Sequence, residues 1–271
     1  MQPEDRSGSD YEAGMRLGER LGGESFSEVV ERLRATDGEA ADYLVRHAYG
    51  GVMSRPDLAL EDRELAIISA LAVQGYLPQL KWHMAAALRI GVAPEAIREV
   101  LVQGIPFAGW PSALNALNAM KETFAECQVA LAELESVPAA PTAPDTLTEI
   151  GRQHGSAVYA DFAAVERTLS EYDSELPGYL TRGPFALIYP RPGLDLRRRE
   201  LIAVAMLTAL QRLPQLAAHI RGAQRVGCTA SETKEVIITM LLYVGWPATL
   251  NALDVWRRAD DAPPADTRRS P

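Results

Sequence analysis

The stretch Arg63–Gly91, RELAIISALAVQGYLPQLKWHMAAALRIG, is the key to this chain because it occurs twice. A shift of 136 residues lays it without a gap on Arg199–Gly227, RELIAVAMLTALQRLPQLAAHIRGAQRVG. Glu64 falls on Glu200, Pro78 on Pro214, Gln79 on Gln215, His83 on His219 and Gly91 on Gly227. The match continues from Gly109-Trp110-Pro111 onto Gly245-Trp246-Pro247, and from Leu114-Asn115-Ala116-Leu117 onto Leu250-Asn251-Ala252-Leu253. Upstream, Arg55-Pro56 meets Arg191-Pro192, and from there about 25 of roughly 66 aligned positions are identical. Self-similarity at a fixed spacing is read before any local pattern. It predicts a tandem duplication with units at 11–135 and 147–259. The Pro/Ala/Thr-rich segment 136–146 joins them, and solvated tails are expected at 1–10 and 260–271.

Composition narrows the function classes. Hydrophobic residues make up 47% of the chain and charged residues 23%, ordinary for a globular protein with a full core. The net charge of −9 speaks against a nucleic-acid partner. No apolar run approaches the ~18–20 residues needed to span a bilayer, and the polar, acidic start MQPEDRSGSD is unlike a signal peptide, so the expectation is a cytoplasmic protein with no membrane partner. Cys127 and Cys228 stand far apart and form no redox or metal spacing.

The periodicity is helical throughout. Phe26, Val29, Val30 and Leu33 recur at i, i+3, i+4 and i+7 within a helical region from Tyr11 to Gly51. Gly50-Gly51 and the Ser54-Arg55-Pro56-Asp57 cluster break it. A helix starting near Glu61 or Asp62 runs to Gln74, with Gly75 as its C-cap. Pro78 opens the helix that carries His83, and Pro94 the one running to Ala108. Gly109-Trp110-Pro111 forms a corner into a helix reaching Leu134. The second unit repeats the programme, with helices near 155–172 and 175–183, a break at Pro190–Gly193, and helices from Arg197, Pro214, Ser231 and Pro247. No run alternates in the way a strand requires, so the fold class is all-α.

Glu64 and His83 lie on consecutive helices joined by a turn near Tyr76. At ~1.5 Å per residue they stand roughly 16 Å and 10 Å from that turn, so on antiparallel neighbours they can face one another. A carboxylate fixes the tautomer of a histidine and raises its basicity, which suits general acid–base work near neutral pH. The alternative is a core histidine satisfied by a carbonyl, with Glu64 placed to favour the helix start. Retention of both residues at Glu200 and His219, while Tyr76 has become Arg212 and Trp82 has become Ala218, favours the functional reading.

These residues carry a resemblance. Arg-Glu-Leu opening a helix, LPQL followed by His, and the Gly-Trp-Pro corner leading into LNAL resemble the carboxymuconolactone decarboxylase family over most of both units. The resemblance implies an all-α fold that assembles into rings. Single-unit members form hexamers, so a tandem chain suits a homotrimer. A second branch of the family resembles the alkyl hydroperoxide reductase D-type peroxidases, in which Glu, a Cys-x-x-Cys pair and His form a thiol relay. The Glu-to-His spacing matches here in both units. The cysteine positions, however, hold Tyr76 and Gln79, and Arg212 and Gln215, so the peroxidase chemistry has no thiolate.

What remains implied is a cofactor-free lyase or isomerase acting on a small organic acid, cyclic or polyketide-like. Decarboxylation places carbanion character next to a carbonyl, and a proton must reach carbon. His83 and His219 would deliver it, Glu64 and Glu200 would hold the imidazoles, and Gln79 and Gln215 would offer a polar wall to the oxyanion. Arg55 and Arg191 are candidates to pair a substrate carboxylate, or equally to tie their loops to a helix. Trp110 and Trp246 read as apolar anchors at a packing or ring interface, or as walls of a pocket for a flat ring. Tyr76 and Trp82 make the first site the more aromatic one. Two further readings stay open, a biosynthetic cyclase or rearrangement enzyme on the same scaffold and a non-catalytic oligomeric binding protein.

Overall fold

The computed structural model describes residues 3–134 and 136–260, and among them every regular element is a helix. Unit one comprises α1 (Pro3–Gly22), α2 (Glu24–Thr36), α3 (Gly38–Tyr43), a π-helical segment Leu44–Met53, α4 (Leu60–Gln74), α5 (Leu77–Arg89), α6 (Pro94–Gln103) and α7 (Ile105–Glu126). Unit two follows with α8 (Pro144–Val158), α9 (Phe162–Tyr172), α10 (Leu176–Leu180), a π-helical segment Thr181–Ile188, α11 (Leu196–Ala209), α12 (Leu213–Arg225) and α13 (Ala230–Asp260). The fold is that of an all-α tandem repeat.

The duplicated stretch forms its centre. Helix α4 is buried without interruption from Asp62 to Val73, and α11 from Arg199 to Thr208. A helix apolar around most of its circumference belongs inside a protein rather than on its surface. The two lie against each other, with Ser69 Oγ donating to the Ile202 carbonyl at 3.3 Å. Around this contact the units reach across in mirrored fashion. Arg55 grips Glu235 on α13 at 2.7 Å, and Arg191 grips Glu99 on α6 at 2.8 Å. Arg63 and Arg199, both fully buried, reach the same two carboxylates at 3.5 Å and 3.3 Å. An approximate twofold therefore relates the units, and the core is shared.

Two kinks repeat. Gly109 (φ 81°, ψ 171°) interrupts α7, and Gly245 (φ 75°, ψ 175°) interrupts α13. A side chain at that φ is strained, so glycine is required there; proline two residues on then starts the next helical run.

Several expectations are corrected. Helix α1 begins at Pro3, inside the stretch 1–10 read as a tail, with proline at a first helical position where its missing N–H costs nothing. The helix expected at 155–172 is broken between Val158 and Phe162, where the Asp161 carboxylate accepts from the Ala164 amide at 2.8 Å and caps α9. The helix expected to reach Leu134 stops at Glu126. The π-helical turns had no sequence signature. Of the tail expected at 260–271, residues from 261 onward lie outside those described. One segment, Ala230–Ala259 of α13, is long and apolar enough on composition to cross a bilayer. It corrects the expectation that no apolar run approaches bilayer length, since its charged residues sit only near the ends and residues 236–253 carry none. In the fold its Val236, Ile237 and Met240 pack into the core.

Candidate functional site

Each histidine stands on the second helix of a repeated pair. Helix α4 carries Glu64 and α5 carries His83; their Oε2 and Nδ1 atoms are 2.8 Å apart. Helices α11 and α12 place Glu200 Oε2 and His219 Nδ1 at the same 2.8 Å. Both glutamates are fully buried and both histidines are 6% exposed. A carboxylate oxygen only accepts, so Nδ1 carries the proton and Nε2 is left as the acceptor.

On the Nε2 side the structure adds residues that the sequence reading missed. The Tyr243 hydroxyl lies 3.0 Å from His83 Nε2, and it comes from α13 of the opposite unit. The Tyr159 hydroxyl lies 3.2 Å from His219 Nε2 and comes from the break between α8 and α9. Burial, followed by the nearby Glu64 carboxylate, raises the Tyr243 phenol well above its ordinary range. Burial and Glu200 push Tyr159 up to about 12. Both therefore stay protonated across the physiological range. One sequence signal pointed to Tyr243, since the repeat shift sets it against Phe107.

The two carboxylates differ at their second oxygen. Glu200 Oε1 accepts from the Tyr189 hydroxyl at 2.7 Å, whereas Glu64 Oε1 is buried with no hydrogen-bond partner among the described residues. The repeat shift places Met53 opposite Tyr189.

His83 opens onto two cavities. One, of about 440 Å³, is lined by Leu44, His47, Tyr49, Met53, Tyr243 and Trp246, among others. The other, of about 330 Å³, is bounded by Phe26, Arg32, Tyr49, Pro78, Gln79 and Trp82. Of the expected binding residues, Gln79, Trp82 and Trp246 are thus brought to His83. Trp82 stands edge-on to the imidazole at 4.9 Å and donates through Nε1 to Ser25 Oγ at 3.1 Å. Trp246, read as an interface anchor or a pocket wall, belongs to unit two yet lines the cavity at His83 in unit one, because the kinked helix crosses between units. His47 lines the larger cavity and stacks on Tyr43 at 4.7 Å.

Others are placed elsewhere. Tyr76 is 51% exposed at the turn before α5, outside the lining of both cavities. Gln215 is exposed on α12, and Trp110 is 62% exposed. Arg55 and Arg191, read either as partners of a substrate carboxylate or as ties from loop to helix, take the second role, bound to Glu235 and Glu99. Those glutamates are fully buried and need cationic partners, which the two loops supply. Cys228 is buried and its thiol is pushed up to about 12 by burial; Cys127 is also raised, so neither is a reactive thiolate near neutral pH.

The model of the carboxymuconolactone decarboxylase family matches residues 38–122 and 174–258, more than half of the chain. The chain is similar to a 4-carboxymuconolactone decarboxylase of Acinetobacter baylyi, 33% identical over 85 residues, which are 31% of this chain and 63% of that protein. It is also similar to a nitrosuccinic acid decarboxylase of Metarhizium robertsii, 28% identical over 79 residues, 29% of this chain and 55% of that protein. An uncharacterized 15.0 kDa protein of Paracoccus denitrificans is 30% identical over 91 residues, 33% of this chain and 68% of that protein. The matches to the two decarboxylases thus span 55–63% of their own length.

Proposed function

The chain belongs to the carboxymuconolactone decarboxylase family, and from that premise we propose that it is a cofactor-free decarboxylase acting on a small cyclic or polyketide-like organic acid. The observation that carries this reading is the buried Glu64–His83 pair at 2.8 Å, beside an aromatic cavity of about 440 Å³. Family relatives named as decarboxylases of two different acids support the reaction class. In the proposed reaction the carboxylate leaves as CO2 in apolar surroundings, and the electron pair on carbon is delocalised into an adjacent carbonyl. The imidazole system then supplies the proton, with Glu64 stabilising the imidazolium. Gln79, near the histidine in the smaller cavity, supplies a polar contact to the developing oxyanion.

The proposed assembly is a homotrimer. It is supported by repeat-related apolar side chains left on the surface: Trp110 (62% exposed) with Trp246 (56%), and Leu114 (52%) with Leu250 (54%). Solution mass near three chains would agree with it; a monomer at micromolar concentration would not. The activity is tested by CO2 release from a panel of lactone and β-keto acids. Release by the wild type and its fall of about 100-fold in Glu64→Gln would support the reading. No release from any acid by folded protein would overturn it.

A further inference from the structure

Both imidazoles receive a tyrosine hydroxyl at Nε2, and the two tyrosines occupy non-equivalent positions of the repeat. The shift that maps His83 on His219 maps Tyr243 on Phe107, which has no hydroxyl. Phe107 does lie over His219, with ring centroids 5.6 Å apart. The hydroxyl there comes instead from Tyr159, whose counterpart in unit one is the Gly22–Gly23 pair at the end of α1. The register of these outer helices is set by matching close approaches. Gly18 packs on Phe26 as Gly155 packs on Phe162.

The steric reason is an exchange of bulk. In unit one Trp82 fills the space over Gly22, where an added Cβ would stand 2.5 Å from its ring. In unit two the tryptophan position is Ala218, and the residue aligned with the glycine pair is Tyr159, whose ring packs on His219. The resulting geometries nonetheless coincide. Tyr243 meets His83 with centroids 5.4 Å apart and planes at 77°, and Tyr159 meets His219 at 5.8 Å and 73°.

Duplicated units inherit contacts at equivalent positions. Inheritance therefore accounts for the Glu–His pairs but not for a phenol supplied to each imidazole from a different place. A buried tyrosine hydroxyl does need some partner, but that need would not direct two unrelated positions to the same nitrogen with the same ring geometry. We propose that Tyr243 and Tyr159 are the proton-transferring ends of two Glu–His–Tyr relays, so that the site at His83 is completed by a residue of the opposite unit. This rests on the acid–base reading of the site given above.

The relay balances. The C–C bond to the carboxylate breaks, CO2 leaves, and its electron pair stays on carbon. The Tyr243 hydroxyl proton forms the new C–H bond while the imidazolium Nε2 proton moves to the phenol oxygen. One proton from water recharges the imidazole, giving R–CO2⁻ + H⁺ → R–H + CO2. The phenol starts and ends neutral, which agrees with its raised pKa. Tyr243 lines the same cavity as His83, so its oxygen can meet a substrate there.

The test is Tyr243→Phe, which removes one oxygen and keeps the ring. The expected result is a kcat about 100-fold lower with KM nearly unchanged. In H2O/D2O mixtures the wild-type rate should show the curved dependence of two protons in flight, and the variant a linear one. Without any substrate, the 15N resonance of His83 Nε2 should move while Nδ1 stays; Tyr159→Phe should do the same to His219. Unchanged kcat, or an isotope dependence whose curvature survives the substitution, would overturn the relay. Lack of CO2 release by the wild type, with the Nε2 shifts present, would sink the decarboxylase reading and leave the phenol–imidazole pairs standing.

Discussion

The sites around His83 and His219 share a pair and a phenol, but differ in the walls that enclose them. At His83 the carboxylate keeps one oxygen unpartnered, Met53 stands where a hydroxyl could have been, and the imidazole borders a cavity of about 440 Å³. At His219 Tyr189 saturates the carboxylate, and Phe107 and Tyr159 crowd the ring at 5.6 Å and 5.8 Å. The helix-borne Glu–His geometry, 2.8 Å in both units, has stayed fixed while aromatic bulk moved between elements. The lesson is that the duplication preserved the Glu–His pair and redistributed the aromatic bulk around it. Under the proposed function, the first site is the one whose cavity would admit a larger molecule.

The contrast extends to the unit–unit contact, where the largest effect is expected. Glu235 neutralises Arg55 and Arg63, whereas Glu99 touches Arg98, Arg191 and Arg199. Removing a buried partner strands charge in the interior, so Glu235→Ala should cost about 3–5 kcal/mol in chemical denaturation. Glu99→Ala, which strands the equally buried Arg199, should cost a similar amount; a much smaller loss would contradict the account of that network.

Almost all of the core was readable in the sequence because it depends on the repeated stretch itself. The 19-residue spacing between Glu64 and His83, and the glycine–proline corners, placed the helices and brought the pair together. What could not be read depends on the twofold arrangement. Tyr243 and Trp246 reach His83 only because the units interlock, and no local pattern states that. The two readings of Arg55, substrate partner or loop tie, stayed open for the same reason, since its partner Glu235 lies 180 residues away. The break that aims Tyr159 at His219 lacks glycine and proline, and only the Asp161 cap marks it.

A second prediction concerns pH. Burial alone would raise the Glu99 carboxyl, but the hydrogen bond and charge of Arg191, with the charge of Arg199, outweigh it and hold it below the ordinary value of 4.5. A depressed folded-state pKa contributes stability above the unfolded value and loses it as pH falls through the folded one. Stability should therefore hold at neutral pH and decline below about pH 4.5. Glu99→Gln, though less stable, should flatten that decline; an unchanged slope would remove Glu99 from the explanation.

The exchange of bulk can be challenged directly. Gly22→Ala should cost about 1–3 kcal/mol by crowding Trp82, and Trp82→Ala in the same chain should recover part of it. Ala218→Trp should be destabilising by a similar amount, because unit two has Tyr159 where unit one has the glycine pair that makes room for Trp82. If both units accept the added bulk without loss, the compensation argument fails. The smallest effect expected is none: dialysis against a chelator should leave turnover unchanged, and loss restored by a metal would refute cofactor-free chemistry.

The most direct test of the central claim is CO2 release by wild type, His83→Ala, His219→Ala and the double variant on the same acid. The account predicts that His83→Ala removes about 99% of turnover or more, that His219→Ala removes a smaller share, and that the double variant abolishes it. Turnover that survives loss of His83, or that vanishes only with His219, would contradict it.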